Sequence, residues 1–174
     1  MSLVRILVFW YNDLSLAVIW NGVTGEYFKA VCGVRQGGVL SPYLYSLYVD
    51  ELIDALRSSG FGRYVGKLFA GCIFYADDIL LIACSCYGLQ RMVNICGKYG
   101  HMCDIAFNIS KCQGITFGNY IQSTPVIHLN NRLVPWVSKM KYLGLSFTAW
   151  NCETDLTNTI GKYYGKLNNI YCPF

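Results

Sequence analysis

Residues 71–83 read GCIFYADDILLIA, and this stretch decides how the rest of the chain is interpreted. Apolar residues lie on both sides of the adjacent carboxylates Asp77 and Asp78. We therefore predict two short buried strands that meet at the Asp-Asp pair, with acid at the tip of a hairpin. A two-residue hairpin turn favours Asn-Gly or Asp-Gly because both central residues need positive φ, and Asp-Asp supplies no glycine.

The two carboxylates have two interpretations. Side by side they repel each other, and a divalent cation between them would remove the cost of ionising both. Aspartate is also common in solvated turns, and an Asp-Asp pair occurs by chance in many proteins. Taken alone, the pair favours neither a metal site nor a solvated turn.

Length and composition favour one compact domain with an unusually apolar surface. The chain has 174 residues, of which 54% are hydrophobic and 14% charged, and its net charge is +4. Such a chain is expected to expose apolar surface when isolated. The net charge permits a polyanionic partner without requiring one, because the basic residues are scattered along the sequence.

Three classes of protein are disfavoured by the pattern of particular residues. The nine cysteines form no C-x-x-C pair and are odd in number, so we expect most of them to be buried thiols, with neither a zinc site nor a complete disulfide framework. The best apolar stretch, 68–84, is interrupted by the two aspartates, so no membrane span is expected. The N-terminal segment lacks a signal cleavage site, so we expect an intracellular protein.

Periodicity and turn signals predict helices that alternate with antiparallel hairpins. Four segments have helical spacing or a helix-start signal: 2–11, 41–60, 89–96 and 154–170. Hairpins are expected at the Asn21-Gly22 and Asn130-Asn131 turns. Three further segments are expected to be single strands: 105–108, 114–117 and 142–147. The predicted class is α+β, with helices packed on one face of an antiparallel sheet.

Four short motifs carry a family resemblance. In chain order they read GVRQGGVLSP (33–42), FYADD (74–78), FNISK (107–111) and KYLG (141–144). They resemble motifs B, C, D and E of the reverse transcriptases of non-LTR (LINE-type) retrotransposons. The first two motifs are specific, the last two are weak singly, and the resemblance covers nearly the whole chain.

The resemblance implies that Asp77 and Asp78 are palm carboxylates that hold catalytic Mg²⁺ or Mn²⁺. In two-metal nucleotidyl transfer one ion activates the primer hydroxyl and the other neutralises the triphosphate, so anionic oxygen ligands are required. Lys111 resembles the motif D lysine that donates a proton to the leaving pyrophosphate. A surface lysine on a loop is an equally good interpretation of Lys111.

The motif B segment is implied to face the incoming nucleotide and the template base. The implied binding residues are Arg35, Gln36, Gly37, Gly38, Ser41 and Pro42. The glycines would let the backbone approach the substrate closely, and the arginine would contact phosphate. A glycine-rich connector before a helix is the alternative interpretation.

The resemblance also divides the chain into two parts. Residues 1–150 are implied to form an incomplete polymerase palm, and 151–174 the start of a thumb with its first helix. Tyr142, Leu143 and Gly144 match the primer grip, a role compatible with an ordinary core strand. Motif A, which carries a third metal-binding aspartate, and the fingers are expected to be absent.

The implied function is that of a fragment of an RNA-directed DNA polymerase, inactive as an isolated chain. In the intact parent the partners would be an RNA template, a DNA primer and deoxynucleoside triphosphates, and the location would be the nucleus. The alternative is a retained, non-catalytic fragment that binds nucleic acid or a protein partner through basic and aromatic surface. The oligomeric state is left open.

Overall fold

The structure is a computed structural model that describes residues 3–30, 33, 35, 37–117, 125–149 and 154–155. The chain divides into two units, Met1–Tyr45 and Ser46–Phe174, and each is described by itself. None of the described helices is long and apolar enough to cross a membrane.

The first unit contains a helix and a hairpin whose four short strands form two successive antiparallel pairs. Helix α1 spans Leu3–Asn12, and none of its residues is buried. The hairpin strands are β1 Ser15–Leu16, β2 Ile19–Trp20, β3 Val23–Thr24 and β4 Phe28–Lys29, with β2 paired to β3 and β1 paired to β4. Asn21 and Gly22 both have positive φ, 48° and 79°, as a type I′ turn requires. The predicted hairpin is therefore confirmed.

Helix α2 spans Ser41–Ser58 and begins at the predicted Ser-Pro pair. Pro42 is tolerated in the first turn because its missing N–H has no helical partner to lose there. The buried residues Val49, Leu52 and Leu56 are three and four positions apart and so share one helix face. Gly60, with a φ of 74°, follows the helix end where the sequence predicts the stop.

Two short hairpins and a long helix follow in the second unit. The elements are β5 Tyr64–Val65, β6 Leu68–Phe69, β7 Cys72–Tyr75, β8 Asp78–Leu81 and α3 Cys86–Met102. The Ser85 hydroxyl caps α3 by accepting a 3.1 Å hydrogen bond from the Gly88 N–H.

Hairpins also make up the remainder of the described chain. The elements are a 3₁₀-helix Ile109–Lys111, β9 Ile127–Leu129, β10 Arg132–Val134, β11 Lys139–Tyr142, β12 Leu145–Thr148 and β13 Thr154–Asp155. β9 and β10 form the predicted hairpin at Asn130-Asn131, and both turn residues have positive φ. β11, β12 and β13 form a three-stranded antiparallel sheet.

Two of the predicted single strands are wrong. Residues 105–108 and 114–117 contain no strand. The Ile105 N–H instead donates a 2.8 Å hydrogen bond to a carbonyl near the end of α3, which holds this segment against the helix. Gly114 makes one isolated bridge to Trp136.

The predicted strand at 142–147 is a hairpin instead. Leu143 and Gly144 turn the chain with φ values of 47° and 84°, and β11 pairs with β12 on either side of them. The predicted helix from 154 is wrong at its start, because Thr154–Asp155 pairs with β12. Residues 156–170 of that prediction lie outside the described part of the chain.

Among its described residues, the second unit has two clusters of buried side chains. The first contains Leu52, Leu56, Met92, Cys96 and Tyr99, and the second contains Val93, Ile127, Leu129 and Val134. In the described residues each sheet has two or three strands, where the sequence predicts one larger sheet. The architecture is therefore mixed helix with small antiparallel sheets. Exposed apolar surface is confirmed, with Trp20 77% and Phe9 74% accessible.

Candidate catalytic site

The β7–β8 hairpin turns one residue earlier than predicted. Tyr75 pairs with Asp78, so the turn residues are Ala76 and Asp77, and Asp78 is the first residue of β8. Ala76 has a φ of 49°, a left-handed conformation that residues with a Cβ rarely adopt. Backbone strain of this kind is concentrated at functional sites. The outlier therefore supports a functional interpretation of the turn.

The two faces of this hairpin differ in exposure. Cys72 and Phe74 lie on the inner face against the first core cluster, and Ile73 and Tyr75 lie on the exposed outer face. Because cross-strand partners share a face, Asp78 lies beside Tyr75 on the outer face. Both predicted strands are present, but the prediction that they are buried is wrong for the outer face of β7. Both aspartates are exposed to solvent.

Tyr142 forms a hydrogen bond between the β11–β12 hairpin and the β7–β8 hairpin. The Tyr142 hydroxyl donates a 3.2 Å hydrogen bond to the Ile73 carbonyl oxygen. Burial raises the pKa of Tyr142, and the negative charge of Asp78 raises it further. The Leu143-Gly144 turn follows Tyr142 directly. The structure thus brings the predicted primer-grip tyrosine close to one of the two predicted metal ligands.

The motif B residues that the structure describes lie in the first unit. The Ser41 hydroxyl donates a 2.6 Å hydrogen bond to the Arg35 carbonyl, and the Gly38 N–H donates to the same oxygen at 3.1 Å. A Cβ on Gly38 would lie 2.7 Å from the Ser41 Oγ, and Gly37 has a φ of 76°. The positive φ favours glycine at Gly37, and the nearby Ser41 hydroxyl leaves little room for a Cβ at Gly38. Gln36 lies outside the described residues.

The two remaining motif B residues are exposed. Arg35 lines a small cavity with Trp10, Tyr11 and Leu14. Pro42 is exposed in the first turn of α2. A guanidinium in this position is open to a phosphate ligand.

Lys111 ends the 3₁₀-helix and is exposed. Its N–H donates a 3.0 Å hydrogen bond to the Asn108 carbonyl, and Ile109 of the same turn packs on the second core cluster. Among the described residues the salt bridges are limited to that of Arg57 with Asp54. The Lys111 ammonium is therefore not ion-paired with either catalytic candidate, and its general-acid role stays a prediction.

The donor chemistry of the hairpin suits a hard divalent cation. Asp77 and Asp78 offer carboxylate oxygens, which Mg²⁺ prefers as protein ligands. Within the described ranges no group of three or more His, Cys, Asp or Glu side chains could hold a metal ion. A cation at this turn would be held by the two aspartates and completed by water or substrate phosphate, a common arrangement for Mg²⁺.

The Ile73 carbonyl is the site component that the sequence prediction missed. Its bond to Tyr142 joins residues 69 positions apart, and a backbone acceptor has no sequence signature. Residues 72–75 read CIFY and are all apolar or aromatic, so the sequence carries no alternation that would have separated the outer face of β7 from the inner one.

Comparison with known proteins agrees with the motifs. The sequence profile described as "Reverse transcriptase (RNA-dependent DNA polymerase)" matches residues 3–147. The Pol polyprotein of the type-2 retrotransposable element R2DM of Drosophila melanogaster is 30% identical, over 80% of this chain and 14% of that protein. The RNA-directed DNA polymerase from the mobile element jockey of Drosophila funebris is 29% identical, over 96% of this chain and 19% of that protein.

These matches define the class as RNA-dependent DNA polymerases. The chain belongs to the reverse transcriptase family, and its similarity to the R2 and jockey proteins makes its domain one of the LINE type. A Pol polyprotein of the type-1 element R2 of Popillia japonica is also 29% identical, over 71% of this chain. The chain spans 14% to 19% of the length of these three relatives.

Proposed function

We propose that this chain provides the palm of a reverse transcriptase that copies RNA into DNA by metal-dependent nucleotidyl transfer. The observation that carries the proposal is the β7–β8 hairpin, which has a strained alanine in its turn and two adjacent exposed carboxylates. Family membership supports a nucleic acid template and nucleotide substrates. The proposed partners are an RNA template, a DNA primer and deoxynucleoside triphosphates, and the proposed location is the nucleus.

Asp77 and Asp78 are the proposed ligands of Mg²⁺ or Mn²⁺. The bound ions would activate the primer hydroxyl and neutralise charge on the triphosphate. Lys111 is the proposed proton donor to the pyrophosphate. Its exposed side chain carries no salt bridge in the described part of the chain, which leaves the ammonium free to move towards a substrate.

The proposed binding surface for the nucleotide and template base is the motif B segment. Its members are Arg35, Gln36, Gly37, Gly38, Ser41 and Pro42. The hydrogen bonds to the Arg35 carbonyl support a preorganised loop in which the guanidinium is exposed. Tyr142, Leu143 and Gly144 are the proposed primer grip. Residues 1–150 are the proposed palm and 151–174 the proposed start of the thumb.

The 174 residues alone are proposed to bind a divalent cation weakly and to leave a primer unextended. Asp77 and Asp78 supply two carboxylates, and the family motif A supplies a third. Loss of one group that stabilises charge in the transition state commonly costs about a thousandfold in rate.

A Mn²⁺ titration of the full chain, followed by water-proton relaxation, tests the proposal. Asp77→Asn and Asp78→Asn are each expected to weaken Mn²⁺ binding about tenfold, because each removes one anionic ligand from the pair. Asp50→Asn is the matched control, since Asp50 is an exposed carboxylate on α2. Equal Mn²⁺ affinity in all four proteins would refute the proposed metal site.

Binding of nucleic acid without catalysis is the second candidate function. Lys139 and Lys141 are both exposed on β11, and the register pairs them with Thr148 and Ser146 on β12. Paired residues share a face, so two lysines and two hydroxyl residues lie on one side of the β11–β12 pair, where β13 also pairs Asp155 with Ser146. Such groups bind the phosphates of nucleic acids. This face favours the second candidate and is compatible with the first.

A further inference from the structure

Tyr142 connects the two turns that carry most of the candidate site. It is the last residue of β11, so its backbone is joined directly to the Leu143-Gly144 turn. Its hydroxyl lies 3.2 Å from the Ile73 carbonyl oxygen on β7. A displacement of the β11–β12 turn away from the other hairpin would therefore break this bond.

The bond is made to the strand that positions Asp78. Ile73 and Tyr75 occupy the outer face of β7, and Asp78 is the cross-strand partner of Tyr75. The Asp78 carboxylate is close enough for its charge to act on the Tyr142 phenol. The Tyr142 hydroxyl is therefore bonded to the strand whose last residue, Tyr75, is the cross-strand partner of Asp78.

Core packing does not account for the Tyr142 hydroxyl. Within the part of the chain that the structure describes, Tyr142 belongs to neither buried cluster nor to the partly buried residues packed on them. Tyr99 provides the contrast, because it is a member of the first cluster and its hydroxyl donates a 2.5 Å hydrogen bond to the Tyr48 carbonyl. A phenylalanine at 142 would fill the same space, so the hydroxyl contributes specifically the link between hairpins.

We propose that the Tyr142 hydroxyl is a positioning group that couples the binding of a primer end at the Leu143-Gly144 turn to the binding of a divalent cation at Asp77 and Asp78. The inference rests on the proposed function and adds a link between its two sites. Coupling of this kind is reciprocal, so primer–template must raise cation affinity by the factor by which the cation raises primer–template affinity. Loss of the hydroxyl breaks the link and leaves both sites in place.

The test is the Mn²⁺ affinity of the full chain, measured with and without an RNA–DNA primer–template. In the unsubstituted chain the duplex is expected to raise Mn²⁺ affinity at least fivefold, the lower end of ordinary allosteric coupling. In Tyr142→Phe the increase is expected to fall below twofold. Tyr48→Phe is the matched control, because it removes the phenol hydrogen bond to the Cys103 carbonyl in the same unit. It is expected to keep the full increase.

Each outcome separates the inference from the proposed function. If Asp78→Asn weakens Mn²⁺ binding but Tyr142→Phe keeps the full increase, or if the duplex has no effect on the unsubstituted chain, the coupling is wrong and the metal site stands. If Asp78→Asn leaves Mn²⁺ binding unchanged, the proposed function fails and the inference fails with it. Amide hydrogen exchange provides a second readout: Tyr142→Phe is expected to accelerate exchange in both hairpins, and unchanged exchange there would also overturn the coupling.

Discussion

At the scale of single residues, the β7–β8 turn and the motif B loop each contain a backbone position that disfavours a side chain. Ala76 holds a positive φ at the turn beside the two aspartates, and Gly38 allows the Ser41 hydroxyl to reach the Arg35 carbonyl. The motif B glycines thus have a role inside the protein, whatever ligand the loop binds. This role can be measured without any substrate.

We expect Gly38→Ala and Ser41→Ala to be non-additive. A Cβ on Gly38 would lie 2.7 Å from the Ser41 Oγ, so Gly38→Ala displaces the hydroxyl and breaks its bond to the Arg35 carbonyl. Loss of such a bond costs about 1 kcal/mol. The double variant removes the same bond once, so its loss in unfolding free energy should fall about 0.5–1 kcal/mol short of the sum. Urea unfolding of the four proteins measures this difference, and strict additivity would contradict the described loop.

Sequence prediction succeeded where the chemistry of a turn is local. Asn21-Gly22 and Asn130-Asn131 tolerate positive φ, and both hairpins are present. Sequence prediction failed at Leu143-Gly144 because leucine is rarely found in turns. The largely apolar segment 142–147 was therefore predicted to be a single strand. Sequence prediction placed the acidic turn one residue late because Tyr-Ala-Asp-Asp has no glycine to fix the register.

Close contacts between residues far apart along the chain could not be predicted from the sequence either. The helical spacing in the sequence covers 89–96, but α3 continues through Gly97 to Met102. A Cβ on Gly97 would lie 2.6 Å from the Asn130 side-chain oxygen, so the glycine allows α3 and the β9–β10 turn to approach. That requirement arises from a neighbour far along the chain, which no local pattern reports.

At the scale of elements, the two faces of the β11–β12 hairpin have different neighbours. Tyr142 is half-buried and bonds to β7, and the alternate residues Lys139 and Lys141 are exposed. The period of two along a strand places the lysines together on one face. The β11–β12 hairpin therefore contacts the β7–β8 hairpin through the face that carries Tyr142 and exposes two lysines on the opposite face.

Removing the lysine charges is expected to reduce the salt dependence of nucleic acid binding. Each lysine that neutralises a phosphate releases counterions, so Lys139→Gln with Lys141→Gln should lower the slope of log affinity against log salt by about 2. Lys67→Gln with Lys98→Gln is the matched control, because both lysines are exposed in the same unit. Fluorescence anisotropy of a labelled primer–template at several salt concentrations measures the slope. A loss shared equally by both double variants would contradict a dedicated face.

At the scale of the whole molecule, the core of the second unit contains thiols that stay protonated. Burial raises the pKa of the Cys96 thiol from 9.0 to about 12, and the nearby Cys72 adds to the effect. Burial likewise raises the pKa of Tyr99 from 10.0 to about 12. Among the six cysteines in the described residues only Cys96 is buried, four are partly buried and Cys84 is exposed, so the expectation that most of the thiols are buried is wrong for this part of the chain.

Stability is expected to fall as the pH rises from 9.0 towards about 12, because the unfolded Cys96 thiol then loses its proton while the folded one keeps it. The contribution is fully present below pH 9.0, since both states are then protonated. Cys96→Ala is expected to lower stability at pH 8 by about 1 kcal/mol or more through the cavity it leaves, and to flatten the alkaline loss. Urea unfolding at several pH values checks this, with exposed Cys84→Ala as the control. An unchanged alkaline loss in Cys96→Ala would contradict the assignment.

The claim that unites these scales is that the hairpin at Asp77 and Asp78 is a divalent cation site beside the Leu143-Gly144 turn. The most direct measurement is Mn²⁺-induced broadening of amide NMR signals in the full chain. We expect the signals of 76–79 to broaden first, those of 142–144 next, and those of the Asn130-Asn131 turn in the same unit least. Broadening that is centred away from 76–79, or that persists unchanged in the Asp77→Asn, Asp78→Asn double variant, would contradict it.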